Sequence, residues 1–163
     1  MFTPKVYFKE AAGAIKNLTE GWKYLRETDV VVGITENSDT AREGGVTNAQ
    51  LLYLHENGVP SHNIPPRPVL IPAVREAATR SAIKSMLRAG AARAMIGDVA
   101  GADAYYNKAG MLGRSACQKY ITEGGNLAPN APSTIARKGS STPLIDTGSM
   151  LGSITYEVRK KKG

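Results

Sequence analysis

The chain has 163 residues, 42% of them hydrophobic and 21% charged, a balance that fits one ordered domain and excludes a disordered segment. Its 21 basic and 14 acidic residues leave a formal net charge of +7, which favours an acidic or polyanionic partner. A single cysteine, Cys117, excludes an intrachain disulfide or a thiolate metal cluster and implies assembly in a reducing cytoplasm. No apolar run is long enough to cross a membrane, and none at the N-terminus suits a signal peptide.

The first helix is announced by Phe8, Ala12, Ile15, Leu18, Trp22 and Leu25, an apolar stripe at spacings of three and four. Lys9, Glu10, Lys16, Glu20 and Lys23 take the opposite face, and Thr28-Asp29 closes the helix. Val30 to Ile34 then reads as a buried strand. Residues 35–46 are polar and turn-forming and predict an exposed loop. Thr47, with Gln50 in capping-box register, starts a short helix whose apolar side is Leu51, Leu52 and Leu54 and whose left-handed end is Asn57-Gly58.

Prolines at 60, 65, 66, 68 and 72 make Val59 to Pro72 an extended, stiff arm. An Ala-rich helix follows from about Ala73 to Met95, with Ile83, Leu87 and Ala94 on one face, and Gly97 to Ala102 breaks it. A further helix starts near Asp103 with the stripe Tyr105, Ala109, Leu112, Ala116 and Tyr120; Gly110 and Gly113 within it permit close approach of another backbone. Residues 124–143 carry no period and predict a long flexible loop, which implies function, disorder or a partner that orders it. Asp146 or Thr147 caps a single helical turn, and Ser153 to Arg159 alternates as a half-buried strand, with Ile154, Tyr156 and Val158 on one face. The basic tail 159–163 reads as solvated, with nucleic-acid contact as the alternative. The fold class is therefore α+β: one domain over 1–163, helices packed on a small antiparallel sheet, with long extended loops.

Chemistry is sparse. His55 and His62 flank a helix stop and cannot form an HExxH pair. GxSxG is absent, and Thr147-Gly148-Ser149 is better explained by helix initiation than by a nucleophile. Cys117 lies mid-helix beside the apolar stripe, as a buried small hydrophobe does. The glycines match neither dinucleotide nor P-loop spacing, and no carboxylate grouping suits magnesium or iron. The expectation is a non-enzyme without cofactor or metal.

Two segments carry a resemblance. Leu52-Tyr53-Leu54-His55-Glu56-Asn57-Gly58, followed by Asn63-Ile64-Pro65-Pro66-Arg67-Pro68-Val69-Leu70, resembles a signature of the phage virion morphogenesis and tail-completion (neck) family, which includes minor tail protein Z-like proteins. Pro132-Ser133-Thr134-Ile135, Lys138-Gly139 and Pro143 to Met150, with Ser153 to Tyr156, resemble that family's second block. Val69 departs from the pattern, which has Phe there.

The resemblance implies a structural subunit of a tailed-phage virion, joining or completing the tail as a homo-oligomeric ring around the DNA exit path. The implied partners are identical subunits, as a hexamer or another multiple of the tail symmetry, and neighbouring neck or tail proteins. Double-stranded DNA in the channel is a further partner, a membrane is not, and assembly takes place in the host cytoplasm. The stiff arm supplies the candidate subunit interface, Ile64, Pro65, Pro66, Arg67, Pro68 and Val69, because a rigid segment loses little freedom on docking. Arg137 and Lys138 are the candidate DNA-facing residues, with acidic groups on neighbouring subunits as their alternative partners. The competing function is a free-standing, sequence-independent DNA-binding protein, favoured by charge but lacking a helix-turn-helix, zinc-finger or basic–aromatic pattern. A small hydrolase is a more distant alternative.

Overall fold

A computed structural model describes residues 4–41, 44–124 and 126–161, with the backbone alone for 4–10. Phe8, Lys9 and Glu10 of the first predicted helix, and Lys162 of the predicted tail, therefore lie outside the described side chains. The elements are α1 (Pro4–Glu27), β1 (Thr28–Gly33), α2 (Asn48–Asn57), α3 (Leu70–Arg75), α4 (Ala77–Met95), α5 (Val99–Thr122), α6 (Pro132–Lys138), α7 (Ser149–Ser153) and β2 (Thr155–Lys160). The α+β class expected from sequence is what the chain adopts, helices on a two-stranded antiparallel sheet.

The sheet pairs strands from the two ends of the chain, with Thr28 opposite Lys160 and Gly33 opposite Thr155. Val32 faces Tyr156 and Val30 faces Val158 across the ladder, giving cross-strand pairs of β-branched and aromatic side chains. This face rests on α5: a Cβ on Gly110 would collide with the Tyr156 ring, and one on Gly113 would stand 2.8 Å from a Val32 methyl. The two glycines thus admit side chains of the sheet, not another backbone as the sequence suggested. β1 is half-buried along most of its length, not fully buried as predicted.

α4 and α5 form the long hairpin of the molecule. The chain reverses through Gly97, at φ 84°, and α5 begins at its N-cap Asp98, whose Oδ1 accepts from Gly101 N at 2.8 Å. The cap expected at Asp103 is instead inside α5. The buried face of α5 runs through Ala102, Tyr106, Ala109, Gly113, Cys117 and Ile121, about one position round the helix from the predicted stripe. Leu112, assigned to that stripe, is 37% exposed. The predicted helix from Ala73 to Met95 is divided at Glu76, whose extended backbone and carboxylate cap α4 by accepting from Ala78 N and Thr79 N. Pro72 belongs to the first turn of α3, where a missing N–H costs nothing.

The core gathers Val69, Ala73, Cys117, Ile121 and Ile154, with Val32, Leu70, Val74 and Leu151 packed around them. Full burial of Val69, Ile121 and Ile154 contributes about 1.5–3 kcal/mol apiece. α1 leaves most of the described part of its apolar stripe unpacked, Leu25 alone being half-buried. It leans on α4 through Gly21, which brings the helix against the Ala94 carbonyl, and on α5 through Tyr24, stacked 5.8 Å from Tyr106 and donating to Asp103. Ile15, Leu18 and Trp22 consequently stay 63%, 48% and 65% exposed.

Candidate functional site

The two segments that carry the family resemblance are folded against one another. α2 starts on the predicted capping box: Gln50 N donates to Thr47 Oγ1 at 3.2 Å and Thr47 N donates to Gln50 Oε1 at 3.0 Å. Hydrogen bonds from the Thr47 hydroxyl and from Ala49 N hold the Asp39 carboxyl below its usual range, which ties the preceding loop to this helix start. α2 ends at Gly58, whose φ of 71° is positive as expected although its ψ of 167° is not that of a left-handed helical cap. A Cβ there would lie 2.7 Å from Pro66 N, so the arm can fold back on α2 only past a glycine.

The arm itself is not simply extended. Val59 and Ile64 exchange backbone hydrogen bonds at 2.8 and 3.1 Å around a 3₁₀ turn, Pro60–His62, and Asn63 takes a left-handed conformation at φ 54°. Arg67 N then donates to His55 O at 2.6 Å. Glu56 Oε1 accepts from Val69 N at 2.7 Å and from Leu70 N at 2.8 Å, satisfying N–H groups at the start of α3 that have no intrahelical acceptor. Glu56, Gly58 and Asn63 of the first signature thus each have a backbone-organising job.

Arg67 joins the arm to the backbone just ahead of the second block. Its Nε donates to Ala128 O at 2.7 Å and its Nη2 to Pro129 O at 2.8 Å. The following segment, expected to lack structure, contains α6, with Pro132 at its start and Gly139 at φ 67° closing it. Asn130 Nδ2 reaches Ser141 O and Thr142 O at 3.3 and 3.2 Å and closes this loop upon itself. Pro at the first turn and Gly just past the last were a helix signal available in the sequence; the short span without apolar period hid it.

Between α2, the arm and α6 lies a groove of about 690 Å³. Leu51, Ile64, Leu144 and Met150 give it an apolar floor, while His55, His62, Arg67, Arg137, Lys138 and Asp146 bring charge or imidazole to it. The two histidines, excluded from a shared helix face, are brought to one groove. Among the described residues no group of three His, Cys, Asp or Glu side chains is placed to hold a metal ion.

The expected subunit-interface residues divide. Pro65, Pro66 and Pro68 are exposed and Ile64 is half-buried. Val69 is fully buried in the core, which corrects its assignment to an outer contact, and Arg67, only 7% exposed and bonded to its own chain, meets the outside solely where it lines the groove. Of the expected DNA-facing pair, Arg137 is exposed and Lys138 half-buried, both on the groove wall at the end of α6. Of the basic tail, Arg159 and Lys160 extend β2 and Lys161 pairs with Asp29 at 3.5 Å, and all three stay exposed, as a solvated tail does.

Behind the groove, the fully buried Asn48 places its Nδ2 2.7 Å from Thr40 Oγ1, 3.0 Å from Ser149 Oγ and 2.9 Å from Ser153 Oγ. Ser149 is therefore a structural hydroxyl at the start of α7, whose N-cap is Gly148 and not the predicted Asp146 or Thr147. Asn48 was missed in the sequence because an asparagine near a helix start is ordinarily a solvent-facing cap. Cys117 is fully buried, as expected, and burial, with a smaller effect from Glu56, pushes its thiol up to about 11. Comparison with protein-family models, with curated proteins and with solved structures finds no match to this chain.

Proposed function

We propose that this chain is a structural subunit of a tailed-phage particle, one protomer of a neck or tail-completion ring that joins the tail to the head. The observation that carries the proposal is the convergence of its two signature-like blocks. They are separated by more than sixty residues of chain, yet Arg67 ties the first to the backbone just ahead of the second, across 61 and 62 positions. Glu56, Gly58 and Arg67 explain why a tail-completion signature would carry those residue types.

A ring of identical subunits is supported by α1. A helix with a clear apolar stripe that faces water needs a partner, and Ile15, Leu18 and Trp22 are such a stripe. A neighbouring copy covers it through a heterologous contact that closes on itself. The exposed prolines of the arm add a stiff surface to the same assembly.

Sedimentation and native mass spectrometry of the purified chain, with negative-stain images, test this. A ring is expected, and Leu18→Glu with Trp22→Lys should reduce it to folded monomer, since neither side chain supports the core. A wild-type chain that stays monomeric at every soluble concentration refutes the proposal. The second function, sequence-independent DNA binding, is favoured by exposed Arg137 and the net charge of +7. It requires duplex affinity that falls steeply with salt; a flat titration discards it.

A further inference from the structure

Among the described residues Arg67 is the one charged residue that is buried. Its guanidinium has five N–H donors, and its hydrogen bonds within the described residues go to Ala128 O and Pro129 O alone. Two carbonyl dipoles do not neutralise a cation. The ion pairs of the described residues do not include Arg67, although Asp146 lines the same groove. Burial also pulls the Arg67 pKa below its usual value. A buried cation without a counter-charge is costly, and here the groove gives an outside group access to it.

We propose that the groove is a carboxylate-binding site for an extended acidic peptide segment. An Asp or Glu side chain of that segment places its carboxylate on the remaining N–H groups of Arg67, and its apolar neighbours lie on Leu51, Ile64 and Met150. Arg137 and Lys138 at the rim steer the acidic segment in. The volume of about 690 Å³ suits a few residues of peptide, within the span of about 300–1,000 Å³ usual for ligand pockets. The mixed apolar and charged lining favours peptide over nucleic acid, because duplex phosphates engage exposed side chains such as Arg137 before Arg67, a residue only 7% exposed. The inference rests on the Arg67 groove alone and does not require the ring.

The test is an NMR titration of the full-length ¹⁵N-labelled chain, following the Arg67 Nε–H resonance. The probes are acetyl-Leu-Asp-Leu-amide, its Asn twin, inorganic phosphate and a random-sequence DNA duplex, at one ionic strength. The Asp peptide should shift Arg67 saturably and bind at least roughly tenfold tighter than the Asn twin, as a hydrogen-bonded charge requires. Two variants that leave the Arg67 anchor intact check the location: Asp146→Asn should tighten binding and Arg137→Gln should weaken it. Equal response to both peptides, no Arg67 shift up to the solubility limit, unchanged affinity in both variants, or preferential movement of Arg67 by phosphate or duplex each overturns the proposal.

Discussion

Replacing Glu56 by alanine removes the hinge between α2 and the arm. One carboxylate oxygen accepts from Val69 N and Leu70 N at 2.7 and 2.8 Å, and the alanine leaves both donors unpaired beside a fully buried valine. A hydrogen bond to a charged group is worth about 1.5–3 kcal/mol. Because both donors share one oxygen, the expected loss is about 3 kcal/mol and not twice the upper figure. Against a domain stability of about 5–15 kcal/mol that is a large fraction. At about 2–4 °C per kcal/mol for a chain of this size, Tm should fall by about 6–12 °C. Urea unfolding followed by far-ultraviolet circular dichroism at neutral pH measures the change, with an unchanged m-value showing that the native fold persists. Glu56→Gln keeps an acceptor oxygen without the charge and should lose about half as much. An alanine variant within about 0.5 kcal/mol of the parent would show that the arm does not depend on this carboxylate, and the account of the signature would fall.

Asn48→Ala should cost about 2–4 kcal/mol in the same assay, since it opens a cavity at a fully buried position and leaves the buried Ser153 hydroxyl without its donor; a loss below about 1 kcal/mol would make that cluster dispensable. Cys117 should resist a thiol-specific disulfide reagent in the native state and react on unfolding. Its folded pKa of about 11 lies above the usual 9.0, so its contribution is complete below pH 9 and is lost as pH rises through 11. Wild type should therefore lose stability more steeply than Cys117→Ala across that window, and parallel curves would contradict the burial argument.

Elements with local signals are legible in the amino-acid sequence. The capping box at Thr47 and Gln50 and the breaker at Gly97 act over a few residues and appear where expected. The last strand also forms, but as Thr155–Lys160, with Ser153 inside α7, Ile154 as that helix's C-cap, and Thr155 to Val158 half-buried without alternation. Local signals also exist at Asp98 and at Pro132 with Gly139, but competing signals nearby draw the boundaries elsewhere. Asp103 makes an equally good cap by residue type; only the turn through Gly97 decides that Asp98 takes the role.

The amphipathic stripes are another matter, because period identifies a helix but not the face it buries. On α5 the buried side is the one with alanine and glycine, since helix and sheet must approach closely enough for Val32 and Tyr156 to seat against Gly113 and Gly110. On α1 the small Gly21 meets the Ala94 backbone, and the larger Ile15, Leu18 and Trp22 are left outside. The Arg67 groove has no local signature either. Its walls come from segments distant in the chain, and what turns an arginine from an outward contact into a buried, uncompensated cation is two backbone carbonyls 61 and 62 residues away. Residue order set the helices, the strands and the stiff arm through interactions within a few positions; which faces meet, and where charge is trapped, depended on volume and desolvation that exist only once distant segments pack.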